Sequence, residues 1–163
     1  MKKLIVYYSL SGNVQAMAEA MADAIGADIL VLKPQEEIKA TGLMKYFWGG
    51  RQVVMGVKPE LRDWLIDPRD YDFIIIGTPV WAYTFAPPLS TFFSLVKLQN
   101  KKVAVFCCHG GGKRNTLDKM KEQLKDNIIV GKIDFLEPQK HDLIAEKKRA
   151  AQWATMLVNK LSE

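Results

Sequence analysis

The stretch "YYSLSGNVQAMAEAMADAIG", residues 7–26, joins the end of an apolar run, Leu4–Tyr8, to a helical pattern through Ser9, Ser11, Gly12 and Asn13. Met17, Ala20, Met21, Ala24 and Ile25 share one face at helical spacing, and Gly26 supplies a natural stop. A buried-looking run that turns through small polar residues straight into a helix reads as the first strand, loop and helix of an α/β unit.

Outward from that unit the alternation continues. Apolar runs recur at 29–32, 73–76, 103–106 and 128–135. Most lack polar alternation, which is the mark of strands buried on both faces. Helical patterns lie between them: Pro87–Val96 with its two prolines at the start, "LDKMKEQLK" behind Asn115 or Thr116 as cap, and a last helix with Ala150, Ala154, Leu157, Val158 and Leu161 on one face. The spacing predicts an α/β three-layer sandwich around a five-stranded parallel sheet with right-handed crossovers. The longest connection, residues 33–72, holds an expected broken helix in "GLMKYFWGGRQVVMGVKPEL" and turns around Pro68. With 163 residues and no internal repeat, 1–163 reads as a single domain.

The totals narrow the function classes. There are 23 Lys or Arg against 18 Asp or Glu, a net charge of +5. From Lys97 to Lys125 there are eight basic side chains and two acids, but the basic residues form no continuous run, so no nucleic-acid partner is expected and a solvated face accounts for them. Adjacent Cys107 and Cys108 form neither a CxxC pair nor a zinc spacing, and a reduced, cytoplasmic setting follows. The N-terminal "MKKLIVYYSL" imitates a short signal peptide, yet strand, turn and helix explain it better, and no run is long enough for membrane insertion.

In a parallel sheet all strand carboxyl ends point one way, so the loops after them meet at one edge. The loop Ser9–Val14 has the chemistry of an anion cradle: hydroxyl and amide donors, a glycine, and the unpaired N–H groups of the following helix. A single cap would start the helix, but three hydroxyl or amide groups plus glycine exceed that need. The loop carries no lysine, so a phosphomonoester there is expected to be held by N–H and O–H groups alone. GxxxxGK[ST] and GxGxxG are both absent. After the third strand comes "GTPVWAYTFAPP", with Trp81, Tyr83 and Phe85 as candidate walls for a planar ligand. After the fourth comes "CCHGGGKRNT", whose glycines let the main chain lie against a ligand's edge. A phosphate pocket beside a flat slot outlines flavin mononucleotide (FMN).

At these three loops the chain resembles the flavodoxin family, over nearly its whole length. That family's Ser/Thr-x-Ser/Thr-Gly-Asn-Thr loop corresponds to Ser9-Leu10-Ser11-Gly12-Asn13-Val14, and "YDFIIIGTPVWAYTFAPPLSTFF" and "VAVFCCHGGG" are similar to its later strands and loops. The resemblance implies sheet order 2-1-3-4-5, the order for which FMN binding beside strands one and three is the family's known example. It implies that Ser9, Leu10, Ser11, Gly12, Asn13 and Val14 hold the phosphate. Thr78, Pro79, Val80, Trp81, Ala82 and Tyr83 border the flavin ring, with Trp81 the favoured stacker. Cys108, His109, Gly110 and Gly111 line its other side.

Three departures stand out. Val14 replaces a hydroxyl, a net loss of about 1 kcal/mol. The chain is basic where electron-carrying flavodoxins are acidic. Ala82 stands where a positive φ would be resisted, so a one-electron-reduced flavin is expected to be poorly stabilised. His109, Lys113 and Arg114 are expected to favour the fully reduced anion by Coulomb attraction. The expected function is electron transfer by bound FMN with a redox partner protein or a small-molecule acceptor. The alternatives are an NAD(P)H-dependent flavin or quinone reductase, a cysteine phosphatase built on Cys108-x5-Arg114, and a cofactor-free interaction module. No catalytic or metal residue is expected, and oligomeric state is open.

Overall fold

The computed structural model describes residues 1–37 and 43–163. In chain order the elements are β1 (Lys3–Tyr7), α1 (Asn13–Ile25), β2 (Asp28–Val31), α2 (Leu43–Val54), β3 (Phe73–Trp81), β4 (Thr84–Phe85), α3 (Pro87–Leu95), β5 (Lys102–His109), α4 (Thr116–Gln123), β6 (Ile128–Leu136) and α5 (Leu143–Ser162). The sheet runs β2-β1-β3-β5-β6, every neighbouring pair on that path parallel. Counted over its five long strands this is the expected 2-1-3-4-5 order.

Apolar runs without alternation become strands covered twice. Leu4, Val6, Ile74, Ile76, Val103 and Val105 point into a core formed with α3 and α4, through Leu89, Phe92, Leu117 and Met120. Their sequence neighbours Ile5, Phe73, Ile75, Ala104 and Phe106 point into a second core with α1 and α5, through Val14, Met17, Met21, Ala150, Ala154 and Leu157. Because side chains alternate along a strand, each layer claims every second residue, and both sets must be apolar.

Helix limits follow local chemistry. α1 ends at Gly26 in the left-handed conformation, φ 60°. Asp142 caps α5 by accepting from the Ala145 N–H at 3.0 Å, while the single 3₁₀ turn Pro68–Asp70 is capped by Asp67. The expected broken helix is one continuous α2 despite Gly49 and Gly50; Thr41 and Gly42, just before it, lie outside the described residues.

The strand–loop boundary at 77–88 differs most from expectation. β3 continues through Thr78, Pro79 and Val80 to Trp81, then folds back through a two-residue turn onto β4, pairing Trp81 with Thr84 and Val80 with Phe85. Tight hairpins of this kind twist correctly when both central residues have positive φ. Ala82 has φ 44° and Tyr83 φ 64°. The resistance expected of Ala82 is overcome by the pairing on either side of it.

β3 also sets a packing constraint at its centre. Gly77 lies between Tyr7 and Phe106 in the parallel register, and a Cβ built there would overlap the Phe106 ring. Gly77→Ala is expected to lower unfolding stability by about 1–3 kcal/mol, the usual cost of overpacking a filled core. Urea denaturation checks this, and an unchanged midpoint would contradict the packing.

Candidate functional site

β1 ends at Tyr7 and the chain turns through Ser9 and Gly12 into α1. Gly12 occupies the position before the helix with φ 91° and donates its N–H to the Ser9 hydroxyl at 3.2 Å. No side chain of the described residues caps α1. The first amides of a helix have no partner within it, so this end presents N–H groups and a positive dipole end to whatever lies before it. The Asn13 side chain is spent differently: its Nδ2 donates to Ser11 Oγ at 3.4 Å, and its Oδ1 accepts from the Gln139 N–H at 2.9 Å. The cradle is therefore tied across 126 residues to the loop after β6.

A cleft of about 300 Å³ opens at this edge. Ser9, Leu10, Ser11, Asn13 and Val14 line one end. Pro79, Val80 and Trp81 form one wall, and Cys108, His109 and Gly110 another. Glu137 and Lys140 complete it from the loop after β6. Hydroxyls, amides and a helix start at one end, with main chain and apolar surface along the walls, suit an oxyanion joined to a flat group.

The remaining residues expected at the site stand elsewhere. Thr78 is fully buried; its hydroxyl accepts from the Ala86 N–H at 2.9 Å and donates to the Pro79 carbonyl, latching the hairpin to α3. Gly12 is covered by Gln139, whose side-chain amide stands where a Cβ would be. Ala82, Tyr83 and Gly111 lie outside the wall. Trp81 is 7% exposed, set edge-on to Tyr8 at 5.6 Å. Gly49 of α2 lies on its indole face, where a Cβ would stand 3.0 Å from the ring. An open stacking face was expected there; α2 covers it. Tyr83 is the exposed ring of that hairpin, at 63%, with Arg114 stacked on it and Lys119 donating to its carbonyl.

The electrostatics also differ from a simple sum of basic residues. His109 Nε2 lies 2.9 Å from Asp134 Oδ2, and its Nδ1 accepts from the Gly112 N–H at 3.0 Å. These partners assign the ring proton to Nε2, which donates it to Asp134. Lys113 Nζ donates to the other Asp134 oxygen at 2.6 Å. Asp134 thus offsets the cations expected to act on the site, and Arg114 is turned toward Tyr83. Partial burial alone would raise the Asp134 carboxyl, but the hydrogen bonds from Lys113 and His109 and the Lys113 charge together outweigh it and hold it below the usual aspartate range.

The cysteine phosphatase reading fails on geometry. Cys108 belongs to β5, is 5% exposed, and its thiol is pushed far up by burial and then by Cys107. Cys107 is driven to about 12, chiefly by burial. An attacking thiolate needs the opposite shift. Glu137, Gln139 and Lys140 were not among the residues expected at the site, whose expected walls were the loops after the first, third and fourth long strands. Parallel order delivers the loop after the last strand to the same edge, and Pro138 marks a turn there.

Residues 2–153 match the flavodoxin family, described simply as flavodoxin. The chain belongs to that family. Among solved structures it is similar to a flavoprotein from Lactobacillus acidophilus NCFM in complex with FMN, at 26% identity over 88% of this chain and 98% of that one, with a TM-score of 0.71. It shares its fold with oxidised flavodoxin 2 from Bacillus cereus, at 18% identity, 98% and 99% coverage and a TM-score of 0.63. A relative in Rhizobium meliloti, NAD(P)H dehydrogenase (quinone) 3, is 28% identical over 130 residues; the match covers 71% of this chain but only 58% of that protein's length.

Since the folded Asp134 pKa is depressed, its contribution to stability is complete above the usual aspartate value and is lost as pH falls through the lower, folded one. Asp134→Asn is expected to destabilise the protein at pH 7 and to flatten the loss of stability below about pH 4. Thermal unfolding across that range measures both, and an unaltered acid limb would refute the assignment.

Proposed function

We propose that this chain binds FMN in the cleft at the carboxyl edge of the sheet and transfers electrons through it. The observation that carries the reading is the start of α1: a left-handed Gly12, no side-chain cap and two serines facing the same cleft. The donor set fits a phosphate, and the walls of Pro79–Trp81 and Cys108–Gly110 fit the edges of a planar ring. The neighbour from Lactobacillus, which holds FMN, supports the same ligand.

Bound FMN supplies a ring that gains and loses electrons singly or in pairs. The chain's own part is binding and positioning. Ser9, Ser11 and the first amides of α1 hold the anionic end; the Asn13 carbonyl keeps the loop after β6 against it. The Gly112 N–H fixes the His109 ring, and Nε2–H stays committed to Asp134, so His109 presents a defined, hydrogen-bonded side to the cleft. Buried Thr78 holds the hairpin that makes the opposite wall. Among the described residues no helix is long and apolar enough to cross a membrane. A single domain, a cytoplasmic setting with Cys107 and Cys108 reduced, and a redox partner protein or small-molecule acceptor complete the proposal.

A second reading, NAD(P)H-dependent quinone reduction, is favoured by the Rhizobium relative. Purified protein is expected to be yellow, and stripped protein to quench the fluorescence of added FMN; a colourless chain that leaves added FMN fully fluorescent would end the flavin reading. Loaded protein mixed with NAD(P)H and a quinone separates the two roles. Slow oxidation, accelerated by a partner reductase, marks a carrier, whereas rapid turnover by the protein alone marks a reductase.

A further inference from the structure

Near the carboxyl edge two cations are left without an acid, and both are gathered on one exposed ring. We propose that Tyr83, Arg114 and Lys119 form a docking surface for an acidic redox partner protein, seated beside the cleft; this rests on the electron-transfer reading above. The acids nearby are already taken. Asp134 pairs with His109 and Lys113, and Asp118 pairs with Lys121 and Lys132. Arg114 and Lys119 make no ion pair among the described residues. Instead the Arg114 guanidinium carbon stands 5.2 Å from the centre of the Tyr83 ring, and Lys119 Nζ donates to the Tyr83 carbonyl at 3.3 Å. An ammonium has further donors beyond that one, and the guanidinium makes no hydrogen bond among the described residues. Both heads therefore keep donors for an incoming carboxylate.

The surface is ordered before anything binds. Tyr83 lies at the turn of the hairpin whose Val80 and Trp81 form one wall of the cleft. Ala82, Tyr83 and Arg114 have φ 44°, 64° and 49°, so strained backbone from two separate loops meets at one contact. Groups already held in place lose less freedom on association. A ring projecting from a turn, 63% exposed, offers no concavity for a small anion. Tyrosine beside arginine on an open surface is instead the composition that dominates protein interfaces. The charge then sets the partner's sign, because complementary potentials speed encounter and reject proteins of like charge.

Isothermal titration of the purified protein with an acidic plant-type ferredoxin and with basic cytochrome c, at low and high salt, tests this. Wild type is expected to bind the ferredoxin at low salt, to lose it at high salt and to ignore cytochrome c. Arg114→Glu combined with Lys119→Glu is expected to weaken the ferredoxin about tenfold, the scale of electrostatic steering. Lys148→Glu combined with Lys160→Glu makes the same charge change on exposed positions of α5, across the sheet from α4, and is expected to leave binding nearly unaltered. Tyr83→Asn keeps a residue tolerant of positive φ and is expected to weaken the ferredoxin about fivefold, with its salt dependence unchanged. Equal weakening by the two charge-reversed pairs would overturn the proposal, since net charge alone would then attract the acid. So would wild type that binds both probes equally, or neither. Colour judges the flavin reading separately. Yellow protein that fails these titrations keeps FMN and loses the docking surface, whereas colourless protein that passes them keeps an acidic partner and loses the redox role.

Discussion

Parallel pairing of β1 with β2 and β3, of β3 with β5 and of β5 with β6 is the constraint on which the rest of this protein depends. Parallel neighbours cannot be joined by tight turns, so each strand must send the chain across a face of the sheet before the next begins. Both faces are thereby covered and the middle residues of the central strands β1, β3 and β5 become apolar on both sides. All polar, glycine-bearing loops are left at the two edges of the sheet. At the carboxyl edge they converge, and the starts of α1 and α4 arrive with them.

That edge is held by bonds that span the chain. Asn13 reaches Gln139, the Glu137 N–H reaches His109, Thr78 reaches Ala86, and Asp134 gathers His109 and Lys113. Backbone strain concentrates there too: Ala82, Tyr83, Arg114 and Glu137 all have positive φ on loops at this edge. Such conformations persist where surrounding structure over-determines them, and they gather at functional sites. Net charge misleads about this edge, because Asp134 and Glu137 each take up a nearby lysine. A basic chain carries a cleft whose charges are largely paired.

Much of the fold was legible because burial on both faces writes itself into the strands as unbroken apolar runs, and Gly26 and the paired prolines mark helix limits by their own stereochemistry. The cradle was legible for a similar reason: Ser9, Ser11, Gly12 and Asn13 exceed what a helix cap requires. The Ala82–Tyr83 turn was hidden because neither residue prefers positive φ, and only β4 pairing imposes it. Trp81 resembled an exposed wall because nothing in its neighbours along the chain announces that Gly49 will lie against it.

Sequence alone therefore determined the layers and the chemistry of the first loop, since each rests on periodicity or on the properties of adjacent residues; the strand order followed from the family resemblance. Tertiary structure alone decided which cations are neutralised, which aromatic ring is open, and that Gln139 is bonded to a cradle more than a hundred residues earlier in the chain. Those are matters of distance through space. Charge and ring contacts act over a few ångströms, and only the folded sheet brings such separated residues within that reach.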